Sequence, residues 1–177
     1  MISNDAKALF ELLNEYARNA VRVLDLDTSL PDREEFFGEC ARIIASCGGY
    51  KVGAGYFSDV YGFEGVCVKV SIDNDFSKLP IDNPAFQRWF VPVFETSHFF
   101  CLCALVEDAQ TYFDLYEGDQ HEAYKHFEEC LDAIKQECAE HNLELDDMHM
   151  GNLVNTPNGP VIIDYGCVDG MNNIRTW

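Results

Sequence analysis

Leu145-Asp146-Asp147-Met148-His149-Met150-Gly151-Asn152 is followed, beyond a short apolar run and a turn, by Ile163-Asp164-Tyr165-Gly166. Asp147 and Asn152 stand five apart, and Asp164 comes twelve residues later. Between them Thr156-Pro157-Asn158-Gly159 separates the runs 152–155 and 161–164, a pattern that predicts a β-hairpin. Phosphoryl transfer needs an aspartate to orient or deprotonate a hydroxyl, plus an amide oxygen and a second carboxylate for metal ions. Two protein oxygens suffice for Mg²⁺, which keeps waters and substrate phosphates as its other ligands. The same residues also read as an acidic turn and the polar end of a hairpin.

Upstream, the spacing predicts a helix over 121–141, with Tyr124, Phe127, Leu131, Ile134 and Cys138 on its apolar side. Before it, β-rich runs at 50–56, 59–62, 66–72, 91–94 and 99–106 predict a small antiparallel sheet. A polar, proline-bearing stretch over 73–84 interrupts them. Two helices are expected in the first fifty residues. One follows an Asn4/Asp5 cap and repeats Leu9, Leu12, Leu13, Tyr16, Ala20 and Val21 at helical spacing. The other carries Phe36, Phe37, Cys40, Ile43 and Ile44 before Gly48-Gly49. These helices carry no recognisable chemistry, which leaves packing as their role.

Two features of the sheet region bear on chemistry. Val52-Gly53-Ala54-Gly55-Tyr56-Phe57-Ser58 places two glycines one residue apart between strands. Glycines let a hairpin approach a polyphosphate closely enough for backbone N–H groups to meet its oxygens, and ordinary tight turns use them too. In Val66-Cys67-Val68-Lys69-Val70 a lysine is flanked by apolar strand residues. Either it snorkels from an edge position or its ammonium is a fixed cation for phosphates.

Glycine hairpin, strand lysine, helix, D-x-x-x-x-N, hairpin and D-x-G, in that order, resemble the protein-kinase signature over residues 50–166. Within that family, Asp147-Met148-His149-Met150-Gly151-Asn152 and Gly53-Ala54-Gly55-Tyr56-Phe57-Ser58 are most similar to the early Ser/Thr protein kinases of T-odd bacteriophages. The resemblance implies an α+β, protein-kinase-like fold. Residues 1–49 would be a helical extension, 50–108 the small sheet lobe and 109–177 a reduced, mostly helical large lobe. It implies Mg²⁺ and ATP as cofactors. Gly53, Gly55 and Ser58 would cover the phosphates and Lys69 would contact the α- and β-phosphates. The segment from Leu105 through Glu107 to Asp108 would be the adenine-reading hinge. Asp147 would be the catalytic aspartate, with Asn152 and Asp164 on Mg²⁺.

The departures are equally specific. No glutamate lies between Lys69 and Phe94, so the usual acidic partner of the lysine is missing, with Asp73, Asp75 and Asp82 as shorter substitutes. Pro80 and Pro84 speak against a full helix there. Leu145 and Asp146 stand where the family has histidine and arginine, so a phosphorylated activation loop finds no basic receiver. Eleven residues follow Gly166, too few for an activation segment and the later helices that hold peptide substrates. His149 fits a proton relay and a packing role alike.

The chain has 177 residues, 47% hydrophobic and 13% aromatic, enough for a sizeable core and against a disordered state. Twelve Lys and Arg against 31 Asp and Glu give a net charge of −19. That opposes direct binding to nucleic-acid phosphates and to anionic membranes, and favours a basic protein partner. Acids crowd residues 128–147: Glu128, Glu129, Asp132, Glu137, Glu140, Glu144, Asp146 and Asp147. They read as a solvated face or as mimicry of nucleic acid. Met1-Ile2-Ser3-Asn4-Asp5 does not read as a signal peptide, and no apolar run is long enough to span a membrane. The eight cysteines lie in strand-like and helix-like runs without a C-x-x-C pair, which predicts free thiols in a reducing cytosol. His126 with Cys130, and Cys138 with His141, have helical metal-ligand spacing but also fit ordinary helix positions.

Two functions are therefore expected. One is a phage-type Ser/Thr kinase acting on proteins of a bacterial host, in transcription or RNA processing. The other is a kinase-fold acidic protein that inhibits a host protein by contact.

Overall fold

The computed structural model describes residues 2–23, 33–54, 58–107 and 109–168. The chain is α+β and divides into two compact units. One holds the described residues up to Ser77 and Val93–Leu105, and the other holds Lys78–Pro92 and 106–168.

The first unit is a five-stranded antiparallel sheet with two helices on one face. Its helices are α1 (Asn4–Val23) and α2 (Arg33–Ser46). Its strands are β1 (Tyr50–Ala54), β2 (Ser58–Phe63), β3 (Val66–Ser71), β4 (Val93–Thr96) and β5 (Phe100–Ala104), in the order β1-β2-β3-β5-β4. The β2–β3 hairpin turns through Glu64 and Gly65, both at positive φ (47° and 76°), the backbone a two-residue turn between twisted strands requires. Alternation along the strands decides the faces. Tyr61, Phe63, Val66, Val68, Val70, Phe100 and Leu102 point to one side. There they form a single core with Ala6, Leu9, Phe10, Leu13 and Ala17 of α1 and Phe36, Cys40, Ile43 and Ile44 of α2.

The expected boundary near residue 49 therefore falls inside one core, and the helices are part of the sheet unit. Leu12 of the expected apolar face is 43% exposed, and Ala6, Phe10 and Ala17 take up that face instead. Val21 lies outside the described side chains.

The stretch after β3 forms a short 3₁₀ turn at Phe76–Lys78 instead of a long helix. Ser71 Oγ accepts from the N–H groups of Asp73 and Asn74, and Asp75 accepts from Ser77. Serine and aspartate side chains offer the backbone these local bonds in place of helix bonds.

The second unit is built on α5 (Gln120–Glu140), whose Ala123, Phe127, Leu131, Ile134 and Cys138 are buried. Tyr124, expected on that apolar side, is 53% exposed. Asp119 caps the helix by accepting from His121 and Glu122 N–H groups. A six-residue helix, α3 (Pro84–Trp89), and a one-turn helix, α4 (Tyr112–Leu115), pack in the same unit. The sequence expectation had no helix at 84–89, although Asn83 as cap and Pro84 at the first position mark one. A three-stranded sheet, β6 (Gln110–Thr111), β7 (Leu153–Thr156) and β8 (Gly159–Ile162), includes the expected hairpin. Phe86, Phe90 and Tyr165 stack in its core, with ring centroids 4.5–6.0 Å apart.

No described helix is long and apolar enough to cross a membrane. All eight cysteines are free, as expected.

Candidate active site

Asp147, Asn152 and Asp164 all belong to the second unit, and hydrogen bonds bring their segments together. Asn152 is buried at 7% exposure, just before β7. Its side-chain amide donates to the Asp147 carbonyl at 3.1 Å, and its backbone N–H to His149 O at 2.9 Å. Its own carbonyl accepts from Ile163 N–H at 2.9 Å, which sets Asp164 one residue away. On the other side, Asp146 N–H donates to Cys167 O at 2.7 Å, and Leu145 bridges to Val168. The D-x-G segment is thus tied at both ends to the loop that carries Asp147.

Asp147 is exposed and sits at φ +48°, in the left-handed region that an L-residue adopts at a cost. Its N–H donates to Asp146 Oδ1 at 2.8 Å. Strain of this kind persists where surrounding bonds over-determine it, as the Asn152 bond and the Cys167 bond do here. Gly151 N–H donates to His149 Nδ1 at 3.0 Å, so the imidazole shapes the turn. A Cβ at Gly151 would lie 3.0 Å from that ring.

Asp164 is half-buried and heads a turn in which its Oδ1 accepts from Gly166 N–H at 2.9 Å. The next residue, Tyr165, is fully buried and donates its hydroxyl to Val91 O at 2.9 Å. That anchor fixes the backbone from which Asp164 projects. The sequence pattern gave the aspartate but not the tyrosine that holds it. An aromatic directly after Asp164 was the available signal.

In the first unit, strand register puts Gly53, Ser58 and Lys69 on one sheet face. Gly53 pairs with Val60, Val60 with Lys69 and Ser58 with Ser71. This is the face opposite α1 and α2. Lys69 lies on β3, inside the sheet between β2 and β5, and is 9% exposed, so it does not snorkel from an edge strand. Cys67, Cys101 and Cys103 share its face, with Cys67 opposite Cys103 and Lys69 opposite Cys101. Hydrogen bonding to Cys103 together with burial pushes the Cys67 thiol far up, and burial does the same to Cys101. The nearby Lys69 ammonium pulls both down and is outweighed.

β1 carries a bulge at Val52, between Lys51 and Gly53, which re-aims the end of the strand. Among the described residues, a Cβ at Gly53 would meet nothing within 4 Å, so their packing does not demand glycine there. Gly55 and Asp108 lie outside the described residues. The division between units falls between Leu105 and Val106, inside the expected hinge, and Glu107 is exposed. Of the aspartates weighed as partners for Lys69, Asp75 is buried in the first unit, where His98 Nδ1 lies 3.1 Å from its Oδ1. Asp73 is half-buried in that unit, and Asp82 is exposed in the second.

Among the described residues, no group of three or more His, Cys, Asp and Glu side chains could hold a metal ion. His126 stacks on Tyr116 at 4.8 Å and lies 3.3 Å from Glu129. Asn152 and Asp164 offer two oxygen donors between them, a number that suits only an ion drawing its remaining ligands from water and phosphate.

No protein-family model matches the chain, and no curated protein matches it significantly.

Proposed function

We propose that the chain is a protein-kinase-like phosphotransferase that moves the γ-phosphate of Mg-ATP to serine or threonine hydroxyls. The observation that carries this reading is the Asn152 linkage. One buried asparagine binds the Asp147 carbonyl through its side chain and Ile163 N–H through its backbone. The three polar groups that phosphoryl transfer requires are thereby held on one framework.

Asp147, exposed on its strained turn, receives the proton of the attacking hydroxyl. The new O–P bond forms as the bond from the γ-phosphorus to the bridging oxygen breaks, and ADP leaves. Asn152 Oδ1 and the Asp164 carboxylate would hold Mg²⁺, which when bound offsets phosphate charge. Gly53 and Ser58 stand on the Lys69 face, where a cation and a glycine turn suit a polyphosphate. By the same reading the target is a protein of a bacterial host, met in its cytosol, as the resemblance to phage kinases implies, and the net charge of −19 favours one with a basic surface.

The test is transfer of labelled γ-phosphate by the purified protein, alone and with bacterial lysate, beside Asp164→Ala. Loss of transfer in a folded Asp164→Ala supports the reading, and undiminished transfer overturns it.

The segment after Lys69 favours a second reading, an acidic binding protein that inhibits its target by contact. Residues 73–83 contain a 3₁₀ turn and loops, with no glutamate to position the lysine. In that case a folded Asp147→Ala protein retains the full inhibitory effect.

A further inference from the structure

A groove of about 370 Å³ lies on the helix side of the first unit, between α2 and the β1–β2 hairpin. It is on the opposite sheet face from Lys69. Its helix wall is made of Phe37, Gly38, Ala41 and Ala45, so beyond the Phe37 ring it carries only small side chains. A methyl group placed on Gly38 would meet nothing within 4 Å. The strand wall carries Lys51, Asp59 and Tyr61. Lys51 Nζ and the Tyr61 hydroxyl both bond Asp59 Oδ2, each at 3.0 Å. Among the described residues, no hydrogen bond ends on Oδ1.

We propose that this groove is a docking site for an arginine side chain on a basic segment of a partner protein. Charge complementarity selects the occupant. The chain carries −19, which steers basic partners toward it, and Asp59 supplies a carboxylate on the strand wall of a groove whose helix wall is apolar. The glycine and alanines of α2 accept the aliphatic stem. The planar guanidinium reaches Oδ1 and competes with Lys51 for Oδ2. Lys51 is a weak competitor, because its side chain is 52% exposed and such pairs are screened by water. Tyr61 keeps the carboxylate aimed while the cations exchange. The site does not depend on phosphate transfer and stands with either function.

The experiment measures polarisation of a short fluorescein-labelled peptide with arginines in a Gly/Ser background, against its citrulline counterpart. Asp59→Asn should weaken binding by about tenfold, the scale of a lost charge-assisted hydrogen bond. Gly38→Leu, which fills the slot, should weaken it similarly, and Lys51→Met should tighten it. Glu129→Gln, which removes an exposed charge on the other unit, should leave it unchanged, and the citrulline peptide should not bind. Wild-type affinity in folded Asp59→Asn or folded Gly38→Leu overturns the proposal. So does an equal loss in Glu129→Gln, which would show attraction to overall charge alone. Ala41→Leu is the second filling variant if Gly38→Leu does not fold.

Discussion

The side-chain amide of Asn152 donates to the backbone carbonyl of Asp147 at 3.1 Å, across a loop whose first residue stands at φ +48°. One buried amide therefore holds a left-handed aspartate, and the backbone carbonyl of the same residue accepts from Ile163 N–H, next to Asp164. Removing the amide and removing the side-chain oxygen should have separable effects.

Asn152→Asp keeps an oxygen but replaces the donor with an acceptor facing another carbonyl. Asn152→Ala loses both. Each should lower folding stability by about 1 kcal/mol, because the part-buried bond to the Asp147 carbonyl is lost. In urea titrations the midpoint should fall in both variants. If Asp147 acts only when its loop is held, Asn152→Asp should also lose transfer, although it retains the oxygen proposed for Mg²⁺. Transfer at the wild-type rate in Asn152→Asp would remove the loop-holding role.

Asp147 itself separates strain from chemistry. Glycine adopts φ +48° without the steric cost that alanine bears, and alanine bears more of it than aspartate. Asp147→Gly should therefore be at least as stable as Asp147→Ala, by about 0.5–1 kcal/mol. Both should lose transfer by at least about 100-fold, the usual contribution of a positioned general base. Opposite ordering of the two stabilities in denaturant would contradict the strained backbone.

How much of this was legible in the sequence varies with the kind of signal. Alternation and periodicity gave the five-stranded sheet, the helices at both ends and the hairpin after Asn152. The spacing of Asp147, Asn152 and Asp164 gave residues that the fold brings into one unit. What the sequence hid was mostly side chain–backbone bonding. Asn152 holding Asp147 O, Tyr165 holding Val91 O and Ser71 capping the turn after β3 all depend on partners distant or irregular in sequence. Tyr124 misled because an aromatic at helical spacing scores as core, whereas in the fold its neighbours Phe127 and Ala123 fill that place. The Asp59 cluster was hidden for a related reason. Lys51 and Asp59 are ordinary polar residues until a β-bulge and a hairpin set them side by side.

The thiols give a test that needs no substrate. Cys47 is exposed and Cys130 half-buried, while Cys40, Cys67, Cys101, Cys103, Cys138 and Cys167 are buried. A disulfide-exchange reagent should react promptly with Cys47, more slowly with Cys130, and with the rest only on unfolding. Burial pushes the Cys40 thiol up from 9.0 to about 12. Between those values the unfolded chain releases a proton that the folded chain keeps, so stability is lost as pH rises. The contribution is flat below about pH 9 and falls by up to about 1.4 kcal/mol per pH unit above it. Cys40→Ala should be less stable at neutral pH and should show a shallower alkaline slope. An unchanged slope between pH 9 and 10 would mean that Cys40 ionises in the fold as it does in the unfolded chain.

Glu137 ties α3 to α5 and decides whether the tie is ionic or hydrogen-bonded. It accepts from the Trp89 indole N–H at 3.1 Å and from Arg88 Nη1 at 2.9 Å. The Arg88 side chain is 61% exposed, so its ion pair adds little, whereas the Trp89 indole is part-buried and needs an acceptor. Glu137→Gln retains an acceptor oxygen for the indole and gives up the charge, so it should stay within about 1 kcal/mol of the wild type. Glu137→Ala leaves the indole N–H without its partner and should cost about 1–3 kcal/mol, with a change in tryptophan emission. The two substitutions should therefore separate clearly in thermal or urea melts followed by fluorescence. Equal losses in both would mean that the charge on Glu137, not its role as acceptor, holds the short helix to the long one.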